Sequence, residues 1–223
     1  LRLLRLPSSR GGIGGINMRF YLSSYKLGNE IDKLKELIPT NNKKTAYISN
    51  ALDFSNDLER RGKSEQSDID ELSILGLDVE LVDLRDYFGR QDELEKKLSE
   101  FGVIWVRGGN VFVLREAMKR SGFDVILKSL VQKEGILYGG YSAGVCVLAP
   151  TLRGIELVDD PHMKPYGDDS ETIFEGLDII DYSIVPHYRL DHPESEKMEV
   201  VVEYMKKNKI PFKTLRDGEV IVT

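Results

Sequence analysis

The sequence predicts an α/β domain built on a parallel sheet with helices on both faces. Short apolar runs alternate with longer amphipathic runs along the 223 residues, the pattern of repeated strand–helix units. Polar and glycine-rich clusters recur just after several of the apolar runs, where an open parallel sheet gathers its chemistry. The length suits one domain with a substantial core and no need for staples.

Taken in order, residues 1–17 carry Arg2, Arg5 and Arg10, no acid and a glycine-rich stretch. Arginines and Pro7 break the apolar core that a signal peptide needs, so this stretch reads as a leader or flexible tail outside a single domain at 18–223. A first strand is expected at 19–22, an amphipathic stretch at 30–37, a second strand at 45–48 and a long amphipathic stretch at 57–75. Strands at 78–82 and 103–106 flank an amphipathic stretch at 91–101. The amphipathic stretch 111–134 should be two helices broken near Ser121-Gly122. A buried strand follows at 136–138. Residues 151–175 form the longest irregular segment, rich in Asp, Pro and Gly, and loops of that length in a compact domain are commonly functional. Strands are expected at 182–185 and 212–215, with a helix start led by Pro193 between them. The run from Gly218 to Thr223 looks like a strand entered from a turn with nothing after it to pair with, so the chain reads as truncated there.

Composition excludes several classes. A net charge of −6 with no basic cluster argues against nucleic acid or an anionic membrane as partner. No run approaches a membrane-spanning length. The one cysteine, Cys146, cannot form an internal disulfide and suits a reducing cytosol.

The chemistry concentrates in GGYSAGVCVLA, Gly139 to Ala149. Gly140, Ser142 and Gly144 form a G-x-S-x-G pentad between an apolar run and a small-residue helix start. The glycines stand where larger side chains would collide in a sharp strand-to-helix turn, which would project the serine hydroxyl above the sheet. A serine nucleophile needs a base. His162, His187 and His192 are the candidates, and His187 is favoured because it follows an apolar strand in IVPHYR. The grouping of His187, Asp191 and His192 has no metal-ligand spacing and no third ligand elsewhere, so no metal is expected. A carboxylate should orient the base. Glu156, Asp159, Asp160, Asp168 and Asp169 precede His187 and Asp217 follows it, and spacing alone selects none. Oxyanion donors are expected from the Ala143 amide and from the Gly108-Gly109 turn.

With these residues assembled, the chain resembles the dipeptidase E and cyanophycinase family of serine peptidases. The resemblance rests on WVRGGNVF (105–112), GGYSAGVCVLAPTLR (139–153) and IVPHY (184–188), in family order from Met18 onward. It implies a flavodoxin-like α/β fold related to class I glutamine amidotransferases, with serine in place of their cysteine. It implies Ser142 as nucleophile, His187 as base, and Gly109 with Ala143 as oxyanion amides. The family's acid lies in the loop after the nucleophile. Dipeptidase-like counting falls near Leu157 and cyanophycinase-like counting on Asp160, so Asp160 is the choice, with Asp159 and Glu156 behind it. Two departures stand out. Arg107 replaces the first glycine of the family's usual Gly-Gly-Gly-Asn turn, and HYRLDHPESEK matches poorly the basic segment that follows the family's histidine.

The implied function is a cytosolic serine exopeptidase without cofactor, acting on small peptides with an acidic first residue. Arg189, Arg107 and Arg153 are candidate cations for the substrate carboxylate, and Asn110 is a further substrate-binding candidate. The alternatives are a cyanophycinase-like or other small-amide hydrolase on the same scaffold and a binding homologue without chemistry. A homodimer is left open.

Overall fold

Strand β1 (Arg19–Ser23) lies beside β5 (Leu137–Tyr141), and the computed structural model describes residues 17–167, 171–189 and 193–223. Residues 1–16, with most of the expected leader, and Asp168, Asp169, Asp191 and His192 lie outside the described residues. The main sheet is completed by β2 (Lys44–Ile48), β3 (Asp78–Leu81), β4 (Val103–Val106) and β8 (Val220–Val222), in the order β3-β2-β4-β5-β1-β8. All neighbours run parallel except β8, which runs antiparallel along β1.

Alternation along each strand builds two cores. Phe20, Leu22, Ala46, Ile48, Ile104, Val106 and Tyr138 face one side. Tyr21, Tyr47, Val103, Trp105 and Leu137 face the other. The second face is covered by α1 (Ile31–Leu37) through Leu34 and by α2 (Leu58–Ile74) through Leu72. The first is covered by α3 (Gln91–Leu98), α4 (Val111–Ser121), α5 (Phe123–Leu130) and α6 (Ala143–Cys146). The expected break between α4 and α5 falls at Gly122, whose φ of 78° ends one helix and starts the next.

Two expectations are corrected. The strands at 182–185 and 212–215 do not extend the main sheet: β6 (Ser183–Val185) and β7 (Phe212–Thr214) form a separate parallel pair, joined by α7 (Pro193–Lys207). The final strand does find a partner, since β8 turns back onto β1 with Ser23 opposite Val220. A linear reading looks forward for a mate, and this one was laid down at the start of the chain.

Packing is tight where β4 meets β5. Gly139 stands opposite Trp105, and a β-carbon there would run into the indole ring. Gly139→Ala should therefore destabilise the protein by about 1–3 kcal/mol through overpacking. A lowered urea midpoint at unchanged slope is the expected reading.

Candidate functional site

Several polar clusters meet near the carboxyl ends of β1, β4 and β5. The first is the turn after β5. Ser142 has φ 51° and ψ −118°, a conformation that costs energy for any residue bearing a side chain. It is tolerated because the flanking glycines let the turn press against β4. A β-carbon on Gly140 or on Gly144 would collide with the Val106 carbonyl. The Tyr138 hydroxyl donates to the Gly144 carbonyl (2.6 Å) and props the first turn of α6 from below. Ser142 is thereby held as an outlier at the head of a short helix.

The second cluster is the turn after β4. Gly109 has φ 145°, and a β-carbon on it would strike the Ala51 carbonyl, so only glycine fits. A β-carbon on Gly108 would lie 2.8 Å from Ser142 Cβ, which shows how closely this turn approaches the serine. Among the described residues, the amides of Gly109 and Ala143 carry no hydrogen-bond acceptor.

His187 arrives from the β6 end. It has φ 55°, and its amide donates to Ser24 Oγ (2.9 Å) at the end of β1. Its neighbour Tyr188 donates its amide to the Leu215 carbonyl, which ties this turn to β7. The Cys146 thiol in α6 reaches the Ile184 carbonyl (3.3 Å), linking the serine's helix to the histidine's strand. Burial pushes that thiol's pKa up, so it stays protonated and packs as an apolar group. The result is a contact of 3.2 Å between His187 Nε2 and Ser142 Oγ.

The other ring nitrogen, Nδ1, lies 2.7 Å from Asp217 Oδ1. Asp217 also accepts from the Ser24 hydroxyl (2.8 Å). It sits in the turn between β7 and β8, and the Ser24 amide donates to the Glu219 carbonyl of that turn (3.1 Å). One serine thus braces both the histidine's backbone and the carboxylate beside its ring.

The carboxylate on His187 is therefore not that of Asp160, the acid favoured from spacing. Asp160 accepts the His162 amide at Oδ1 (2.9 Å), and its carbonyl accepts from Asn110 Nδ2 (2.9 Å). Asp159 accepts the Val111 amide (2.8 Å) at the start of α4, and Glu156 is bonded to the Gly154 amide. These acids tie the 151–175 segment to itself and to the turn after β4.

Asn110 is likewise spent on structure. Its side-chain oxygen accepts from the amides of Phe112 and Val113 (2.9 and 3.1 Å), capping α4, and its side-chain nitrogen holds the loop. Arg189 is exposed and paired with Glu199 (3.0 Å), and Arg153 lies 3.5 Å over the Phe174 ring. Arg107 is buried beside the serine turn, with its guanidinium 5.8 Å from the Tyr141 ring centroid. The sequence reading passed over Ser24. The signal available for it was its place right after β1, at the same sheet end as the other clusters.

Among the described residues, no group of three or more His, Cys, Asp or Glu is placed to hold a metal ion, and no helix is long and apolar enough to cross a membrane.

A strained serine at a strand-to-helix turn, in contact with a histidine that is itself against a carboxylate, is the side-chain arrangement of a serine hydrolase. Residues 22–223 match the family model of Peptidase family S51, and the chain belongs to that family. An uncharacterized peptidase of Listeria monocytogenes is 31% identical over 140 residues, spanning 62% of this chain and 64% of the relative. Peptidase E of Streptomyces coelicolor is 33% identical over 143 residues, spanning 61% of this chain and 54% of the relative. The matches thus span less than two thirds of these relatives' own length. Two solved structures share the fold. One, from Listeria monocytogenes EGD-e, has a TM-score of 0.68 at 24% identity over 92% of this chain and 98% of that chain. A peptidase from an acI-B1 Actinobacterium has a TM-score of 0.65 at 15% identity over 92% of this chain and 83% of that chain.

Proposed function

We propose that the chain is a serine exopeptidase of short peptides, acting through Ser142, His187 and Asp217 with an acyl-enzyme intermediate. The observation that carries this reading is the unbroken run of contacts from Asp217 through His187 to Ser142 (2.7 and 3.2 Å). His187 Nε2 takes the Ser142 proton as Oγ attacks the scissile carbonyl carbon. Asp217 holds the Nδ1–H tautomer and steadies the imidazolium that forms. The oxyanion is received by the amides of Gly109 and Ala143, both without an acceptor among the described residues. Collapse breaks the C–N bond, and the amine departs with the proton from Nε2. Water, deprotonated by the same nitrogen, attacks the ester and frees Ser142 with the acid product.

Exopeptidase action is favoured by the 151–175 segment, whose described residues are fastened beside the Gly109 turn. Tyr166 donates to Asp53 (2.5 Å) and its carbonyl accepts from Arg120 (2.8 Å), while Asp159 and Asp160 bind the head of α4. A wall anchored at both places limits substrate length. The preferred substrates are dipeptides with an N-terminal aspartate, as the family relationship suggests, and the single buried cysteine suits a cytoplasmic enzyme. The carboxylate on His187 also weighs against a homologue that has lost its chemistry.

The test is covalent. A fluorophosphonate should label Ser142, and His187→Ala should slow labelling by at least about 100-fold. An unreactive serine would leave only the binding homologue. Hydrolysis of Asp-X dipeptides ahead of β-aspartyl peptides and cyanophycin completes the assignment, and the reverse order would make the chain a different amide hydrolase.

A further inference from the structure

The buried charge cluster beneath the serine turn is not used by the chemistry above. Arg107, at the end of β4, is 8% exposed. Its Nε donates to the Gly108 carbonyl (3.2 Å) and its Nη2 to Ser64 Oγ in α2 (3.2 Å). Its Nη1 is buried and has no hydrogen-bond partner among the described residues. The nearest carboxylate, Asp68, stands 3.6 Å from Nε, beyond a good hydrogen bond. Asp68 is already engaged: Oδ2 accepts the hydroxyls of Tyr47 (2.8 Å) and Tyr141 (2.6 Å), and Oδ1 faces Lys26 at 4.0 Å. Burial works against the arginine's charge, but Tyr141, Tyr47 and Asp68 outweigh it, so its pKa is raised and it stays a cation.

A guanidinium held on two sides with its third nitrogen unmet is costly as a structural element. Its position gives it a use. Tyr141, whose ring it faces, is the residue before Ser142, and Gly108, the residue after Arg107, abuts Ser142 Cβ. Tyr25, half exposed, packs edge-on against both Tyr141 (5.9 Å) and His187 (6.0 Å), so one ring touches both the cluster and the reacting groups. We propose that Arg107 is the specificity-determining residue, its free Nη1 receiving the side-chain carboxylate of an acidic N-terminal residue as Tyr25 gives way. The inference rests on the peptidase reading and names the anchor for its substrate. The Gly108 carbonyl and Ser64 hold the guanidinium so that one nitrogen, Nη1, is left for a carboxylate, a fixed planar geometry an ammonium does not reproduce.

The experiment is calorimetric binding of Asp-Leu and of its neutral isostere Asn-Leu to the full chain carrying Ser142→Ala, which stops turnover. With Arg107 present, Asp-Leu should bind about 10- to 100-fold more tightly than Asn-Leu, the worth of a charge-assisted hydrogen bond. Adding Arg107→Met should bring the two within about 3-fold of each other, and Arg107→Lys should leave an intermediate ratio. A merely structural arginine would weaken both peptides together and leave the ratio standing, and that result overturns the proposal. So does equal affinity, or no binding of either peptide, with Arg107 in place. Should Arg107→Met fail to fold, the Lys variant and the parent ratio decide. Fluorophosphonate labelling of the unaltered protein reports separately on the peptidase reading: a ratio that depends on Arg107 with an unreactive Ser142 would retain the anchor and remove the chemistry.

Discussion

Ser142→Ala is expected to lower peptide turnover by roughly 10⁴–10⁶-fold while the protein folds as before. The size follows from the role: without the hydroxyl there is no acyl-enzyme, and the residual rate reflects binding and the oxyanion amides alone. The backbone adds a second, opposite signature. Alanine inherits the disfavoured φ of 51°, whereas glycine accepts it without penalty. Ser142→Gly should therefore be equally inactive yet more stable than the parent, by about 1 kcal/mol once the looser unfolded chain is counted. Activity on an Asp-X dipeptide together with thermal melting checks both. Turnover near the parent rate in either variant would remove Ser142 as the nucleophile. A loss of stability in the glycine variant would show that the turn is not strained.

The strained serine was legible in advance because its causes are local. Small residues at 140 and 144 have no reason to bracket a serine after a buried strand unless backbone must approach there, and the Val106 carbonyl is what they make room for. The alternation of strands and helices was legible for a similar reason, since each segment declares its own period. What was not legible is which distant segments meet and how each polar group is engaged. Asn110 reads as a polar group on the active face, yet its amide is consumed in capping α4, because a strand-to-helix turn needs a cap as much as a site needs a ligand. The 182–185 and 212–215 runs read as further strands of one sheet, and nothing in their composition says that they pair only with each other. Asp160 was favoured by counting along the chain, a measure blind to β8 folding back on β1.

That fold-back makes Asp217 the residue on which a second large effect is expected. Asp217→Asn should cut turnover by about 10³–10⁴-fold, whereas Asp160→Asn should change it by no more than about 3-fold. An asparagine can keep the shape of the side chain but can present its amide N–H to Nδ1. The histidine would then carry its proton on Nε2, the nitrogen that must accept from Ser142, and the base would be lost without loss of fold. Asp217 is about a third exposed, so water can reach the carboxylate and soften the effect, which places the expectation at or below that of a fully buried acid. Its bond from Ser24 acts the other way: that hydroxyl already satisfies one lone pair and limits the rotation of the carboxylate away from the ring. Steady-state kinetics on one Asp-X dipeptide, with fluorophosphonate labelling as a readout independent of substrate binding, separates the two acids. If Asp160→Asn were the damaging change and Asp217→Asn nearly silent, the contact at 2.7 Å would be incidental and the 151–175 segment would have to supply the orienting acid when substrate is bound.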